Sequence, residues 1–179
     1  FFLNLSTPTP GRVNLGTNGT GTITDNDVPV VSVNDPAAVG EAGGAIFFSV
    51  SIDRCPATDV WVNFATNDGS AVNTEDYGNY AGNVLFAAAG CVGPFSQNVT
   101  VVVTDDAIYE PGGNETFTLD LGAVTSGNAV VDPLNNSGLG QIIDNETPPT
   151  VNLDTPTVAE NAGTMTFTAT LTGAADVPL

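Results

Sequence analysis

The chemistry of this chain is concentrated in Thr104-Asp105-Asp106-Ala107-Ile108-Tyr109-Glu110-Pro111-Gly112-Gly113-Asn114-Glu115-Thr116-Phe117, where four carboxylates fall within eleven residues and no base stands near them. Two unit charges about 4 Å apart repel by roughly 4 kcal/mol at an effective dielectric near 20. A loop that gathers acids in this way needs full hydration or a hard cation among them. Hydration suffices for an isolated Asp-Asp pair, so the rest of the chain must decide between the two.

The 179 residues carry twenty acids against two bases, Arg12 and Arg54, with no Lys and no His, for a formal charge of −18. Nucleic acids and anionic membrane surfaces both require basic patches, so neither is expected as a partner. No apolar run approaches the roughly 20 residues of a membrane helix, and direct membrane insertion is not expected. The 41% hydrophobic content marks a folding chain rather than an acidic disordered tail. There is no His, no Gly-x-Ser-x-Gly, no phosphate loop and no Cys–His pair. Catalysis by carboxylates alone would need a cleft holding an acid of raised pKa; a non-enzyme is expected. Cys55 and Cys91 are too few for a disulfide scaffold and lack zinc-site spacing, leaving buried thiols or one disulfide.

The elements that position the acids read as strands. Ile46, Phe48, Val50 and Ile52 share one face, as do Val60, Val62 and Phe64, and again Phe117, Leu119 and Leu121. Strands are expected at 31–33 with a continuation at 37–39 (A), and at 45–52 (B), 60–64 (C), 83–86 (D), 97–103 (E), 116–121 (F) and 138–143 (G). Short alternating strands between Gly/Pro/Asn turns predict an all-β, antiparallel sandwich of about seven strands. An internal repeat organises them: Ile23-Thr24-Asp25-Asn26-Asp27-Val28-Pro29 returns as Ile142-Ile143-Asp144-Asn145-Glu146-Thr147-Pro148, about 119 residues later. At the same spacing Glu41 meets Glu160, Gly44 meets Gly163 and Phe48 meets Phe167. The expected division is the tail of one repeat at 1–27, a whole repeat at 28–146 and the start of another at 147–179. The whole unit is long enough to bury its own core; the end pieces lack the middle strands and are expected to need further sequence or another chain's strands, or else to stay poorly ordered.

In an up-and-down series, successive connections alternate between the two ends of the sandwich. The A–B connection with Glu41, the C–D loop with Asp68, Glu75 and Asp76, and the E–F loop with Asp105, Asp106, Glu110 and Glu115 then share one end. Strand G finishes there in Asp144-Asn145-Glu146. Such convergence suits Ca²⁺, which takes six to eight oxygens from loops, whereas zinc and copper want the His or thiolate donors absent here. Asp68, in Asn67-Asp68-Gly69-Ser70, reads as a turn residue, and Glu115 as either ligand or edge charge. The turns bearing Cys55 and Cys91 share the opposite end, which favours a disulfide between them and with it an oxidising, extracellular or cell-surface setting.

Glu41-Ala42-Gly43-Gly44, the run from Val62-Asn63-Phe64-Ala65-Thr66-Asn67-Asp68-Gly69-Ser70-Ala71 to Asp76-Tyr77, Asp105-Asp106-Ala107-Ile108-Tyr109-Glu110 with Glu115-Thr116-Phe117, and Ile142-Ile143-Asp144-Asn145-Glu146 together resemble a Calx-beta repeat. The resemblance implies an immunoglobulin-like sandwich with calcium at its end loops. It implies as ligands Glu41, Asp76, Asp105, Asp106, the Ile108 carbonyl, Glu110, Asp144 and Glu146, with Asp25, Asp27 and Glu160 as remnants of incomplete sites. Asn145 stands where the family often has a third acid. Pro111-Gly112-Gly113-Asn114 lengthens the usual Glu-x-x-Glu by two residues, so fewer ions or weaker binding are expected. The functional expectation is a calcium-binding structural repeat of a long extracellular surface protein, adhesin or filament, with calcium at the loop end stiffening the junctions between repeats. Neighbouring repeats would stack head-to-tail, their acidic ends meeting base-bearing ends (Arg54, Arg12), and other copies of the chain could join in a filament. The alternative is a regulatory calcium sensor resembling those of sodium–calcium exchangers.

Overall fold

The computed structural model describes residues 1–4, 17–24, 26–93 and 95–175; Arg12 and Asp25 lie outside them. Fifteen strands follow in chain order: β1 (Phe2–Leu3), β2 (Gly19–Thr20), β3 (Val30–Val33), β4 (Val39–Gly40), β5 (Ala45–Ile52), β6 (Val60–Asp68), β7 (Ala81–Phe86), β8 (Ser96–Val102), β9 (Ile108–Tyr109), β10 (Glu115–Ser126), β11 (Val130–Val131), β12 (Ser137–Ile143), β13 (Thr150–Leu153), β14 (Ala169–Thr172) and β15 (Ala174–Ala175). A five-stranded sheet in the order β4-β12-β10-β6-β7 faces a four-stranded sheet in the order β11-β3-β5-β8. Predicted strand A is β3 and β4, B to F are β5, β6, β7, β8 and β10, and G is β12, with β11 just before it.

The alternation read in the sequence places the core. Ile46, Phe48, Val50 and Ile52 from one sheet meet Val60, Val62, Phe117, Leu119 and Ile142 from the other, all buried. At the centre Tyr77 stacks on Phe117 (ring centroids 4.2 Å), and Phe48 meets the same ring edge-on at 5.8 Å. Gly140, paired with Phe117 across β10 and β12, leaves room for that ring, since a Cβ there would lie 2.6 Å from it.

Two pairings depart from a purely antiparallel sandwich. β4 runs parallel to β12, and β11 runs parallel to β3. The first strand changes sheets between Val33 and Val39, where Pro36 offers no N–H to a ladder. First and last strands of an odd series point the same way, so each half of the first finds the last as a parallel neighbour. Asp35 secures the crossing by accepting a hydrogen bond from the Leu139 amide at 2.8 Å.

Cys55 and Cys91 form a disulfide with a Cα separation of 5.8 Å. Beyond the sandwich the A–B hairpin recurs. Asn34 accepts from the Ser49 amide (2.6 Å), and about 119 residues later Asp154 accepts from that of Thr168 (2.9 Å). The turn at Glu41–Gly43 ends on Gly44 at φ 79°, and the turn at Glu160–Ala162 ends on Gly163 at φ 77°. Both positions lie in the left-handed region that glycine enters without strain.

Phe117→Ala should cost about 3–5 kcal/mol, because the cavity is enclosed by two further aromatic rings and cannot collapse. Reduction of the disulfide should cost about 2–4 kcal/mol. Urea melts under oxidising and reducing conditions read both.

Candidate metal centre

Four connections carry acids to one end of the sandwich, and each acid is held by local geometry. Glu41 opens the short 3-10 turn between β4 and β5 and is 2% exposed, one of three buried polar side chains named in the described core. Asp76 lies between β6 and β7, where its carboxylate accepts from the Val72 amide (2.6 Å) and its carbonyl from the Thr104 amide (2.8 Å). Glu110 follows β9 and Glu115 opens β10. Asp144 and Glu146 follow β12, and Asp144 ties the connections together: it accepts from the Glu146 amide at 2.9 Å and the Glu110 amide at 3.0 Å.

Two carboxylate triads result, Glu41–Asp144–Glu146 and Asp76–Glu110–Glu115, each with one oxygen per residue within 4.8 Å of the others. The charge of Glu110, in the second triad, bears on Glu41 in the first. Oε2 of Glu41, of Glu110 and of Glu146 is buried without a hydrogen-bond partner. Buried acceptors are almost always satisfied, so orphaned oxygens in each of the two triads suit a cation.

The protonation pattern carries the same strain. Burial, then the charges of Glu110 and Glu146, push the Glu41 carboxyl up to about 8. Burial followed by Asp76 and Asp106 raises Glu110, and burial followed by Asp144 raises Glu146. Burial works against the Asp144 charge as well, but the amides of Glu146 and Glu110 outweigh it and hold that carboxyl below its usual range.

The remaining predicted ligands lie in the same loops but outside the triads. Asp106 accepts from the Ile108 amide (2.7 Å) and lines, with Ile108, Asp76, Glu110 and Glu115, a cleft of roughly 330 Å³. Asp105 is held by the Asn145 side-chain amide at 3.0 Å, so the residue replacing an acid supplies a donor instead. Glu115, left open by the sequence, completes the second triad. The four residues between it and Glu110 are taken up in a turn with Gly113 at φ 94°, which returns Glu115 to the cleft. Asp68 serves structure: it accepts from Tyr77 Oη (2.5 Å) and from the backbone and side chain of Asn73. Glu160 is exposed in the second 3-10 turn, and Asp27 meets Arg54 at 2.9 Å.

The sequence profile of the Calx-beta domain matches residues 24–146. The chain belongs to the Calx-beta family. Solved structures with the same fold include the apo form of the Calx CBD1 domain (20% identity, 66% of this chain and 99% of that one, TM-score 0.55). CBD12 from CALX1.2 (21% identity, 64% and 45%, 0.54) and a structure described as calcium binding domain CBD12 of CALX1.1 (23% identity, 60% and 42%, 0.51) also share it. This chain thus spans less than half of either CBD12 chain. At these identities the likeness establishes the fold. No curated protein matches the sequence. No helix among the described residues is long and apolar enough to cross a membrane.

The raised carboxyls fix the sign of a pH effect in chelator. Between about 4.5 and about 8 the folded state keeps a proton on Glu41 that the unfolded state releases. The contribution is full below that window and is lost as pH rises through it; Glu110 and Glu146 act in the same direction. Asp144, lowered, acts only at more acid pH. The Tm of the metal-free protein should therefore fall on going from about pH 5 to about pH 8, and Glu41→Gln should flatten that slope in calorimetry.

Proposed function

We propose that this chain is a calcium-binding Calx-beta repeat in which Ca²⁺ replaces carboxylate repulsion as the organiser of the end loops. The observation that carries the reading is Glu41, 2% exposed with an orphaned oxygen among Glu110, Glu146 and Asp144. A donor set made only of oxygens on loops matches Ca²⁺ chemistry, and Mg²⁺ would keep more water and ask for a stricter octahedron. Glu41, Asp144 and Glu146 would hold one ion and Asp76, Glu110 and Glu115 a second, with Asp105, Asp106 and the Ile108 carbonyl available to either.

A regulatory calcium-responsive module is the role best supported, because the solved structures of like fold given above are Calx CBD domains and one is described as a calcium binding domain. None of those named here is an adhesin or a filament protein. The Calx-beta assignment supports binding over catalysis. The Cys55–Cys91 disulfide favours a second reading, a repeat in an extracellular or cell-surface array. Head-to-tail partners are supported by Arg54, whose guanidinium meets Asp27 at the end of the preceding acidic stretch. As an exposed pair it contributes about 1 kcal/mol at most, so it sets orientation rather than affinity.

Thermal unfolding of the 179-residue chain in calcium and in chelator tests the reading. At a hundredfold excess over Kd a ligand specific to the folded state adds about 2.7 kcal/mol, and an unchanged melt would remove the proposal. Glu110→Gln should weaken calcium binding about tenfold or more in titration calorimetry, a loss near 1.4 kcal/mol. Thiol labelling of the protein from its native source separates the two roles: oxidised cysteines favour the array, reduced cysteines the sensor.

A further inference from the structure

The strand β9 belongs to neither sheet of the sandwich. Its described partner is β15, 66 residues further on, paired in parallel with Ala174 opposite Ile108 and Ala175 opposite Tyr109. In an extended segment successive backbone groups point to opposite edges. The Ile108 and Glu110 amides both turn to the acidic centre, donating to Asp106 at 2.7 Å and to Asp144 at 3.0 Å. Tyr109, between them, therefore presents its N–H and C=O to the other edge, where β15 lies. By the same alternation the Ile108 carbonyl lies on the edge of the Ile108 amide, toward the acidic centre. One short strand is thus wired on one side to ligand carboxylates and on the other to a later segment.

That segment has a counterpart. At the repeat spacing of about 119 residues, Ala174-Ala175 corresponds to Cys55-Pro56, the turn after the second strand of the whole unit. That earlier turn also reaches back to the acidic stretch preceding it, through Arg54 to Asp27. Where the first junction has Arg54, the second has Gly173 at φ 94°, a backbone shape that directs the chain alongside β9 without a cation.

We infer that β9 is a docking strand for the turn that follows the second strand of the next unit, joined to it by main-chain hydrogen bonds. The partner is an extended segment of the same polypeptide, read through its backbone rather than its side chains. Seating that segment fixes Ile108, Tyr109 and Glu110, and the metal centre draws on the Ile108 carbonyl and the Glu110 carboxylate, so each event favours the other by linkage. This coupling rests on the calcium reading; the strand addition does not.

The experiment is residue-resolved hydrogen exchange on the full chain, in calcium and in chelator, for wild type and for Ala174→Pro and Ala175→Pro. The expected result is a Tyr109 amide protected in wild type and released in at least one proline variant, with amides of β5 and β10 still protected. That variant should also bind calcium about fivefold or more weakly. Equal exchange at Tyr109 in all three proteins would overturn the inference, as would lost protection with unaltered calcium affinity. If no form bound calcium while the proline variants still released Tyr109, the calcium reading would fall and the docking strand would stand.

Discussion

The constraint on which the structure turns is the confinement of like charge. The sandwich topology brings six carboxylates into two triads at one end, close enough for the charge of Glu110 to raise Glu41, and buries part of several of them. At an effective dielectric near 20 each close pair costs roughly 4 kcal/mol when both partners are ionised. Without a cation the protein reduces that cost by retaining protons, as the raised carboxyl of Glu41 records. A divalent ion removes the repulsion and satisfies the orphaned oxygens together.

The opposite end is built in the contrary manner. There the Cys55–Cys91 disulfide joins the two turns covalently, and Arg54 carries the one described basic side chain. Between the ends the Tyr77–Phe117–Phe48 ring cluster packs the two sheets together and fixes β10 and hence the place of Glu115.

Much of this was legible in the residues. Period-two alternation specified the strands, because only one face of each is buried, and a one-residue slip would turn Phe48 or Leu119 outward. Strand parity specified which loops share an end, and so predicted both the convergence of Glu41, Asp76, Glu110, Asp144 and Glu146 and the meeting of Cys55 with Cys91. The repeat spacing that pairs Glu41 with Glu160 and Gly44 with Gly163 marked two places that fold into the same 3-10 turn.

What the sequence could not decide were distances of a few ångströms across strands. Glu115 could be ligand or edge charge until the turn at 111–114 was seen to fold it back, because loop length does not state loop direction. The division of the acids into two triads, with Asp105 and Asp106 outside them, depends on which oxygens a packed backbone brings within 4.8 Å. The parallel pairings of β4 with β12 and β11 with β3, and the reach of β15 to β9, join residues remote in sequence through main-chain groups that every residue carries. The side chains determined on their own which faces are buried and which acids converge. Backbone pairing has no such signature, and the tertiary structure alone decided it.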